Sequence, residues 1–402
     1  MAVQPRLLTF STLYPNSGQP NHGIFVETRL RHLVASGAVS ATVVAPVPYF
    51  PSAARVFGDW ARYARVPPVE QRHGLTVHHP RYPLIPRVGM SLAPMLMYRG
   101  TVARVARLAA AADIIDAHYL YPDGVAAARI AARVGKPVVL TARGSDVTQL
   151  ANFARPRAAI IAAIARADWL ITVSASLRDG LLALGADPAR VTVLRNGVDT
   201  GLFAPVDRAA SRATLGLTRK TLLSVGLLIE RKRHHLAIAA MPFLPDCELL
   251  IVGEGPEHAA LGAMIDRLGL RARVRLLGPC PHADLPRMYG AADALILASS
   301  REGWANVLLE SMACGTPVVA MRIGGNPEVV RDRAAGVIVD DATPEALAAA
   351  IRDLLATPPA RSATRAYAEQ FGWGETTAGQ IAIFHEVLER RRHGFVGPLA
   401  AA

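Results

Sequence analysis

The chain of 402 residues is short of several things, and each shortage excludes a class of protein. It has three cysteines, Cys247, Cys280 and Cys314, which are odd in number, far apart and without a C-x-x-C pair. That excludes a disulfide framework and a cysteine-ligated structural zinc site, and it reads as a reducing cytosol. Long apolar runs are missing too. A bilayer takes roughly 18 to 20 apolar residues to cross, and Val88 to Tyr98 falls short of that. The uncharged run Leu33 to Ala54 is broken by Gly37, Pro46, Pro48 and Pro51, so no transmembrane segment is expected. The start of the chain lacks a sustained apolar core and a small-residue cleavage site, and reads as a first strand and turn rather than a signal peptide. A charged share of 19% against an apolar share of 51% excludes intrinsic disorder. There is no Gly-x-Ser-x-Gly elbow and no Walker loop, which argues against a hydrolase or an NTPase.

What is present is positive charge, unevenly placed. The chain holds 44 Lys+Arg against 32 Asp+Glu, for a formal +12. Residues 1–200 contain 22 basic and 11 acidic side chains, and the remainder 22 and 21. Between 50 and 110 stand Arg55, Arg62, Arg65, Arg72, Arg81, Arg87, Arg99, Arg104 and Arg107, opposed only by Asp59 and Glu70. An excess confined to one half points to an anionic partner such as a membrane leaflet, a lipid-linked phosphate or an acidic glycan. The bland alternative is an arginine-rich composition decorating solvated faces, which the scarcity of lysine (Lys136, Lys220 and Lys232) supports. Nucleic acid fits less well, because no stacking aromatics interleave with the arginines.

Short β-branched runs alternate with helical patterns twice over. The spacing predicts strands at Leu7–Thr12, Ser40–Ala45, Asp113–Ala117, Pro137–Thr141, Trp169–Val173 and Val191–Leu194. A second series follows at Thr221–Val225, Cys247–Val252, Val274–Leu277, Ala294–Ala298, Pro317–Ala320 and Gly336–Val339. Helices are expected at Val26–Ala35, Gly124–Val134, Glu257–Leu268 and Pro344–Leu355, with one long helix from Gly374 to Arg392. This is an α/β chain of two parallel-sheet domains, divided near Phe203–Ser211 into residues 1–205 and 206–374, with 375–402 as a terminal helix. Ligands of such sheets bind at the carboxyl ends of strands, so chemistry should lie just after them.

The most informative segment does follow a strand. Arg301-Glu302-Gly303-Trp304-Ala305-Asn306-Val307-Leu308-Leu309-Glu310 opens a helix, with Asn306 as the expected N-cap and Ala313-Cys314-Gly315-Thr316-Pro317 as its end. Backbone N–H groups at such a helix start suit phosphate. Glu302 before the helix and Glu310 one turn inside it suit the hydroxyls of an extended sugar ligand. The Glu-x7-Glu segment with its Cys-Gly-Thr-Pro tail resembles the signature of retaining family 4 glycosyltransferases of the GT-B fold. The resemblance implies that Glu302 meets the donor sugar and Glu310 the ribose, with Gly303, Trp304, Ala305, Asn306 and Val307 lining the donor site.

Other motifs of that family appear in order. Ser224-Val225-Gly226-Leu227 leads to Glu230-Arg231-Lys232, where the family usually has Arg directly after the Gly and Lys five residues on. Gly226 and Lys232 match and Leu227 does not, leaving Arg231 or Arg233 to supply the second cation toward a diphosphate that gains charge as it leaves. In the loop Pro15 to Val26, which by itself reads as a turn, the resemblance implies that Gly23 brings its backbone amide to the diphosphate. Asp116-Ala117-His118 ends a strand, and His118 matches the family's histidine beside donor sugar and acceptor. Thr141-Ala142-Arg143-Gly144-Ser145-Asp146 resembles its Gly-Ser-Asp turn, with Arg143 and Asp146 as acceptor-side candidates. Asn196-Gly197-Val198-Asp199 with Phe203 reads as turns and linker. Gly253-Glu254-Gly255-Pro256-Glu257-His258 fails the dinucleotide fingerprint at its sixth position.

The resemblance therefore implies two Rossmann-like domains of a GT-B fold facing across a cleft, with the last helix crossing back to the first domain. It implies catalytic roles for His118, Lys232 and Glu302 and a front-face mechanism. The donor is expected to be a UDP- or GDP-sugar and the acceptor a glycan or a lipid-diphosphate-linked glycan. No Asp-x-Asp occurs, so no metal or other cofactor is expected, and Lys232 with helix dipoles would take the metal's place. The closest flavour is similar to transferases of bacterial exopolysaccharide and teichuronic-acid-type assembly. The expected location is the cytoplasm, at the inner face of an anionic membrane, with no nucleic-acid partner. A GT-B nucleotide-sugar epimerase and a basic nucleic-acid-binding protein are the alternatives.

Overall fold

The computed structural model describes residues 4–54, 56, 59–84 and 89–394. Arg55 and Arg87 of the basic stretch, and 395–402 of the terminal segment, lie outside the described residues. The chain forms two compact units, Met1–Arg195 with Gly374–Ala402, and Asn196–Trp373.

The first unit is built on strands β1 (Arg6–Phe10), β2 (Ser40–Val44), β4 (Val69–Arg72), β5 (Leu75–His78), β7 (Ile114–His118), β8 (Val138–Ala142), β9 (Trp169–Thr172) and β10 (Val191–Val193). A small ribbon joins β3 (Val47–Pro48) to β6 (Arg81–Tyr82). The large sheet runs β10-β9-β8-β7-β1-β2-β5-β4, parallel except for the β4–β5 hairpin at its edge. Strand order reverses between β1 and β7, so the loops after these two strands open at the switch point where ligands bind in such sheets.

The second unit carries β11 (Lys220–Val225), β12 (Cys247–Val252), β13 (Val274–Gly278), β14 (Ala294–Leu297), β15 (Val318–Met321) and β16 (Gly336–Val339). Their order is β13-β12-β11-β14-β15-β16, all parallel. This is the doubly wound dinucleotide-fold order, with the switch point between β11 and β14. Strands buried on both faces read as continuous apolar runs, which is why LLIV in β12 and ALIL in β14 were visible as strands. Both units are thus the parallel-sheet, Rossmann-like domains of a GT-B α/β fold.

Four strands between 47 and 82 had no sequence counterpart. They are two to four residues long, and β4, VEQR, alternates exposed and half-buried positions at a sheet edge, too short for a periodic signal. The division between units falls at Arg195/Asn196 and not at 205/206. Asn196–Phe203 belongs to the second unit because its backbone is bonded there: Val198 N–H donates to Phe371 O at 2.9 Å, and Arg365 donates to Thr200 O at 3.1 Å and Phe203 O at 2.5 Å. The helix Gly374–Arg392 packs back on the first unit, its Ile383, Phe384 and Val387 joining Val26, Leu30 and Leu33 in one buried cluster.

Candidate active site

In the second unit, the two loops at the β11/β14 switch point are stitched together. Ser300 N–H donates to Arg231 O at 2.8 Å, and Arg231 Nη1 donates to Arg301 O at 3.0 Å. Lys232 Nζ then reaches Glu302 Oε1 at 2.7 Å, with Arg231 Nη1 at 3.5 Å from Oε2. Glu302 is 9% exposed. Burial alone would raise its carboxyl pKa, but Lys232 and then Arg231 outweigh burial and hold it below the ordinary range. Arg231 therefore shares the carboxylate with Lys232, while Arg233 sits at a left-handed φ of 50° opening the helix His234–Ala240. Of the two arginines considered for the position Leu227 leaves unfilled, the structure brings Arg231 to the cluster.

The loop's shape is enforced from below. His234 is buried, with Nδ1 3.0 Å from Ser224 Oγ and Nε2 3.2 Å from Leu227 O, and burial lowers its pKa to about 4. A neutral histidine is thus locked under Gly226–Leu228. Gly324 lies against the other loop: at φ 46°, a Cβ there would stand 1.8 Å from Glu302 O.

The helix Asn306–Ala313 follows as expected, and Gly315, at φ 78°, ends it. Its N-cap differs. Ala305 occupies the cap position, Asn306 is the first helical residue, and Asn306 Oδ1 accepts from Asn196 Nδ2 at 3.2 Å instead of bonding the helix's own N–H groups. Trp304, 7% exposed, donates its indole N–H to Asn196 O at 3.1 Å. Gly303 and Ala305 are buried beside it, and Val307 is partly exposed. Glu310 is gripped by two residues the sequence reading missed. Tyr289 Oη donates to its Oε2 at 2.8 Å, and His282 Nε2 lies 3.4 Å from Oε1. Burial would lower the His282 pKa, but Glu310 outweighs burial and Asp199 adds to it, so the pKa is raised. Phe203, read as linker, packs edge-on against His282 with ring centroids 5.0 Å apart. The Gly253 turn braces the site's rim, since Gly226 N–H donates to Val252 O at 3.0 Å and Leu228 N–H to Glu254 O at 2.8 Å.

In the first unit the candidates gather at the β1/β7 switch point. Gly23 caps the helix Ile24–Ala35 at φ 68°, where a Cβ would meet Leu13 O at 2.3 Å, so only glycine fits. Two residues on, the Phe25 ring lies 5.5 Å from the Arg143 guanidinium. His118 ends β7 and is 1% exposed, with Nε2 3.1 Å from Asp116 Oδ2 and Nδ1 2.7 Å from Arg143 Nη2. Asp146 is fully buried. Its carboxylate accepts backbone N–H bonds from Leu120 at 2.8 Å, Gly144 at 2.7 Å, Arg143 at 3.0 Å and Val147 at 3.2 Å, so it braces the turns around the site. Asp123 accepts from Thr12 N–H and, at 3.0 Å, from Thr12 Oγ1, and burial raises its pKa to about 7.

Arginines of the basic stretch have structural duties. Arg72 pairs with Glu27 at 2.7 Å, and Arg81 donates to the carbonyls of Tyr63 and Val66. Among the described residues no group of three or more His, Cys, Asp or Glu is placed to hold a metal ion, and no helix is long and apolar enough to cross a membrane.

Two families match the chain, one after the other. Residues 23–202 match the family described as Glycosyltransferase Family 4, and residues 207–371 match Glycosyl transferases group 1. Each match covers less than half of the chain, and together they span most of it. The D-inositol 3-phosphate glycosyltransferase of Segniliparus rotundus is 37% identical over 230 residues, 54% of this chain and 51% of that protein. That of Mycobacterium tuberculosis is 37% identical over 229 residues, 52% of this chain and 48% of that protein. The chain thus spans about half the length of the curated relatives it matches. In fold it is similar to sucrose-phosphate synthase from Thermosynechococcus elongatus, with a TM-score of 0.79 at 21% identity over 96% of this chain and 100% of that one. Anabaena HepE, solved with UDP and glucose, gives a TM-score of 0.74 at 23% identity over 95% of this chain and 100% of the other.

Proposed function

We propose that this glycosyltransferase moves a sugar from a UDP- or GDP-sugar, held by the second unit, to a glycan or lipid-linked acceptor with retention of configuration. The observation that carries the reading is the Arg231–Lys232–Glu302 cluster, at hydrogen-bond and ion-pair distances on the β11/β14 switch point, with Glu310 one helical turn further on. Two cations beside one carboxylate leave a net positive charge for a diphosphate, while Glu302 offers acceptors to sugar hydroxyls. A departing diphosphate gains negative charge as the glycosidic bond breaks, and its oxygen on the same face takes the acceptor hydroxyl's proton. With Lys232 and Arg231 neutralising that charge, transfer proceeds without a metal.

Titration with UDP-, GDP- and ADP-sugars while following thermal unfolding tests the donor assignment, because a ligand that binds only the folded state raises Tm. Stabilisation by one nucleotide series is expected. Stabilisation by nucleic acid and by no nucleotide sugar would overturn the reading. Turnover surviving EDTA, with a product anomer matching the donor's, is the expected outcome for a metal-independent retaining enzyme.

For the acceptor, a lipid-diphosphate-linked glycan of bacterial cell-surface polysaccharide synthesis fits the basic first unit. Exposed Met90, Leu92 and Met95, at 41%, 49% and 39%, lie beside exposed Arg99 and suit an anionic leaflet on the cytoplasmic side. A second reading, a phosphorylated polyol, is favoured by the names of the inositol-phosphate relatives. Flotation with anionic vesicles, reversed by moderate salt, supports the first. Transfer to a soluble inositol phosphate without vesicle binding supports the second.

A further inference from the structure

The helix Gly374–Arg392 is anchored by the apolar contacts of Ile383, Phe384 and Val387, yet the residue one turn earlier on the same face is Gln380, 1% exposed. A buried amide costs free energy unless both of its ends are bonded, and leucine would anchor the helix better. Both ends are bonded. Gln380 Oε1 accepts from Arg29 Nε at 2.8 Å, and Nε2 donates to Asp116 Oδ2 at 3.3 Å. The same Oδ2 faces His118 Nε2 at 3.1 Å, and His118 Nδ1 faces Arg143 Nη2 at 2.7 Å. A guanidinium only donates, so Nδ1 is the acceptor and the ring proton sits on Nε2, toward the carboxylate. Burial also keeps His118 below the ordinary histidine range, so the ring is neutral.

We propose that Gln380 and Asp116 are positioning residues that fix His118 as its Nε2–H tautomer and, through it, aim the Arg143 guanidinium at the β1/β7 switch point. Asp116 alone can rotate between Arg29 and His118. Gln380 takes up the Arg29 hydrogen bond and donates to Oδ2, which keeps the carboxylate in register with the imidazole. If the ring proton moved to Nδ1, two donors would meet at the Arg143 contact and the guanidinium would turn away. The terminal helix is therefore part of the acceptor-side machinery as well as a strap. The kinetic consequence rests on the transferase reading above, whereas the tautomer does not.

Nitrogen NMR of 15N-histidine-labelled full-length protein reads the tautomer directly, with His118→Gln used to assign the signal. The wild type is expected to show protonated Nε2 and unprotonated Nδ1 at neutral pH. Gln380→Met, with its fold checked by cooperative unfolding, should mix the two tautomers. It should also lower kcat about tenfold while leaving KM for the nucleotide sugar within about twofold. Gln380→Glu, which keeps an acceptor for Arg29 but loses the donor to Asp116, is the second variant with the same expected spectrum. An Nδ1–H or doubly protonated ring in the wild type overturns the proposal, as does a His118 spectrum unchanged in either folded variant. Absence of transfer by the wild type from every nucleotide sugar would instead defeat the functional reading.

Discussion

The two units share an architecture and divide the charge completely. The first unit, Met1–Arg195 with Gly374–Ala402, holds 25 Lys+Arg and 13 Asp+Glu, and the second, Asn196–Trp373, holds 19 of each. The neutral unit nevertheless presents the cationic candidate cluster, and the basic one buries its candidates in a polar network. Net charge is a property of surfaces felt by large partners, whereas a site is made by a few side chains held at fixed distances. In the second unit Arg231, Lys232 and Glu302 come from adjacent loops, so one short stretch from each supplies the site. In the first, Arg29, Asp116 and His118, Arg143, and Gln380 come from four separate places in the chain, and the network exists only when all four are packed.

The largest expected effect tests that division. Lys232→Met should lower kcat by at least about a hundredfold, as for loss of a group that stabilises developing charge. Arg143→Met should instead raise KM for the acceptor and leave nucleotide affinity unchanged. If both variants weaken nucleotide binding equally, the division of labour is wrong. Next come the two glycines that support the sites. Gly23→Ala must displace Leu13 O from 2.3 Å and Gly324→Ala must displace Glu302 O from 1.8 Å, each at a positive φ. Each should destabilise by about 1–3 kcal/mol in denaturant titration. Gly324→Ala should also weaken donor binding, since it moves Glu302 itself.

Smaller effects sharpen the second unit. Tyr289→Phe removes one of the two groups gripping Glu310 and should cost about 1 kcal/mol of stability, with a few-fold loss of nucleotide affinity. His282 has a folded pKa above its unfolded value of about 6.5. Its contribution is therefore fully present below about pH 6.5 and is lost as pH rises through the higher folded value. Thermal scans of the wild type against His282→Gln should show the two converging above that window, and a gap that widens with pH would contradict the Glu310 pairing.

Much of this was legible in the sequence, for definite reasons. Twelve strands were visible because most are parallel strands buried on both faces, which read as short apolar, β-branched runs, and the terminal helix was placed at Gly374–Arg392 by its periodicity. The Glu302-to-Glu310 spacing was legible because a loop and the helix it opens are contiguous. The hairpin β4–β5 was not, being short and half-exposed, although His73-Gly74, at φ 49° and 78°, is a two-residue turn of the kind hairpins use. Asn306 looked like a cap by residue type. Its side chain is taken by Asn196, a partner 110 positions away in the chain. Tyr289, His282 and Gln380 carry no local signal, since an isolated polar residue on a helix or turn resembles any other until its neighbours are known.

What the sequence determined by itself was the class of elements, their order, and the short stretches whose chemistry is local: Gly226 to Lys232 and Glu302 to Glu310. Hydrophobic periodicity and contiguous motifs are written along the chain, and they survive without knowledge of the fold. Only the tertiary structure decided that Arg231 joins Lys232 on Glu302, that Asp146 braces turns, and that His118 is tied through Asp116 to a glutamine in the last helix. Those outcomes depend on which buried donors and acceptors end up within about 3 Å of one another, a condition met by packing residues hundreds of positions apart.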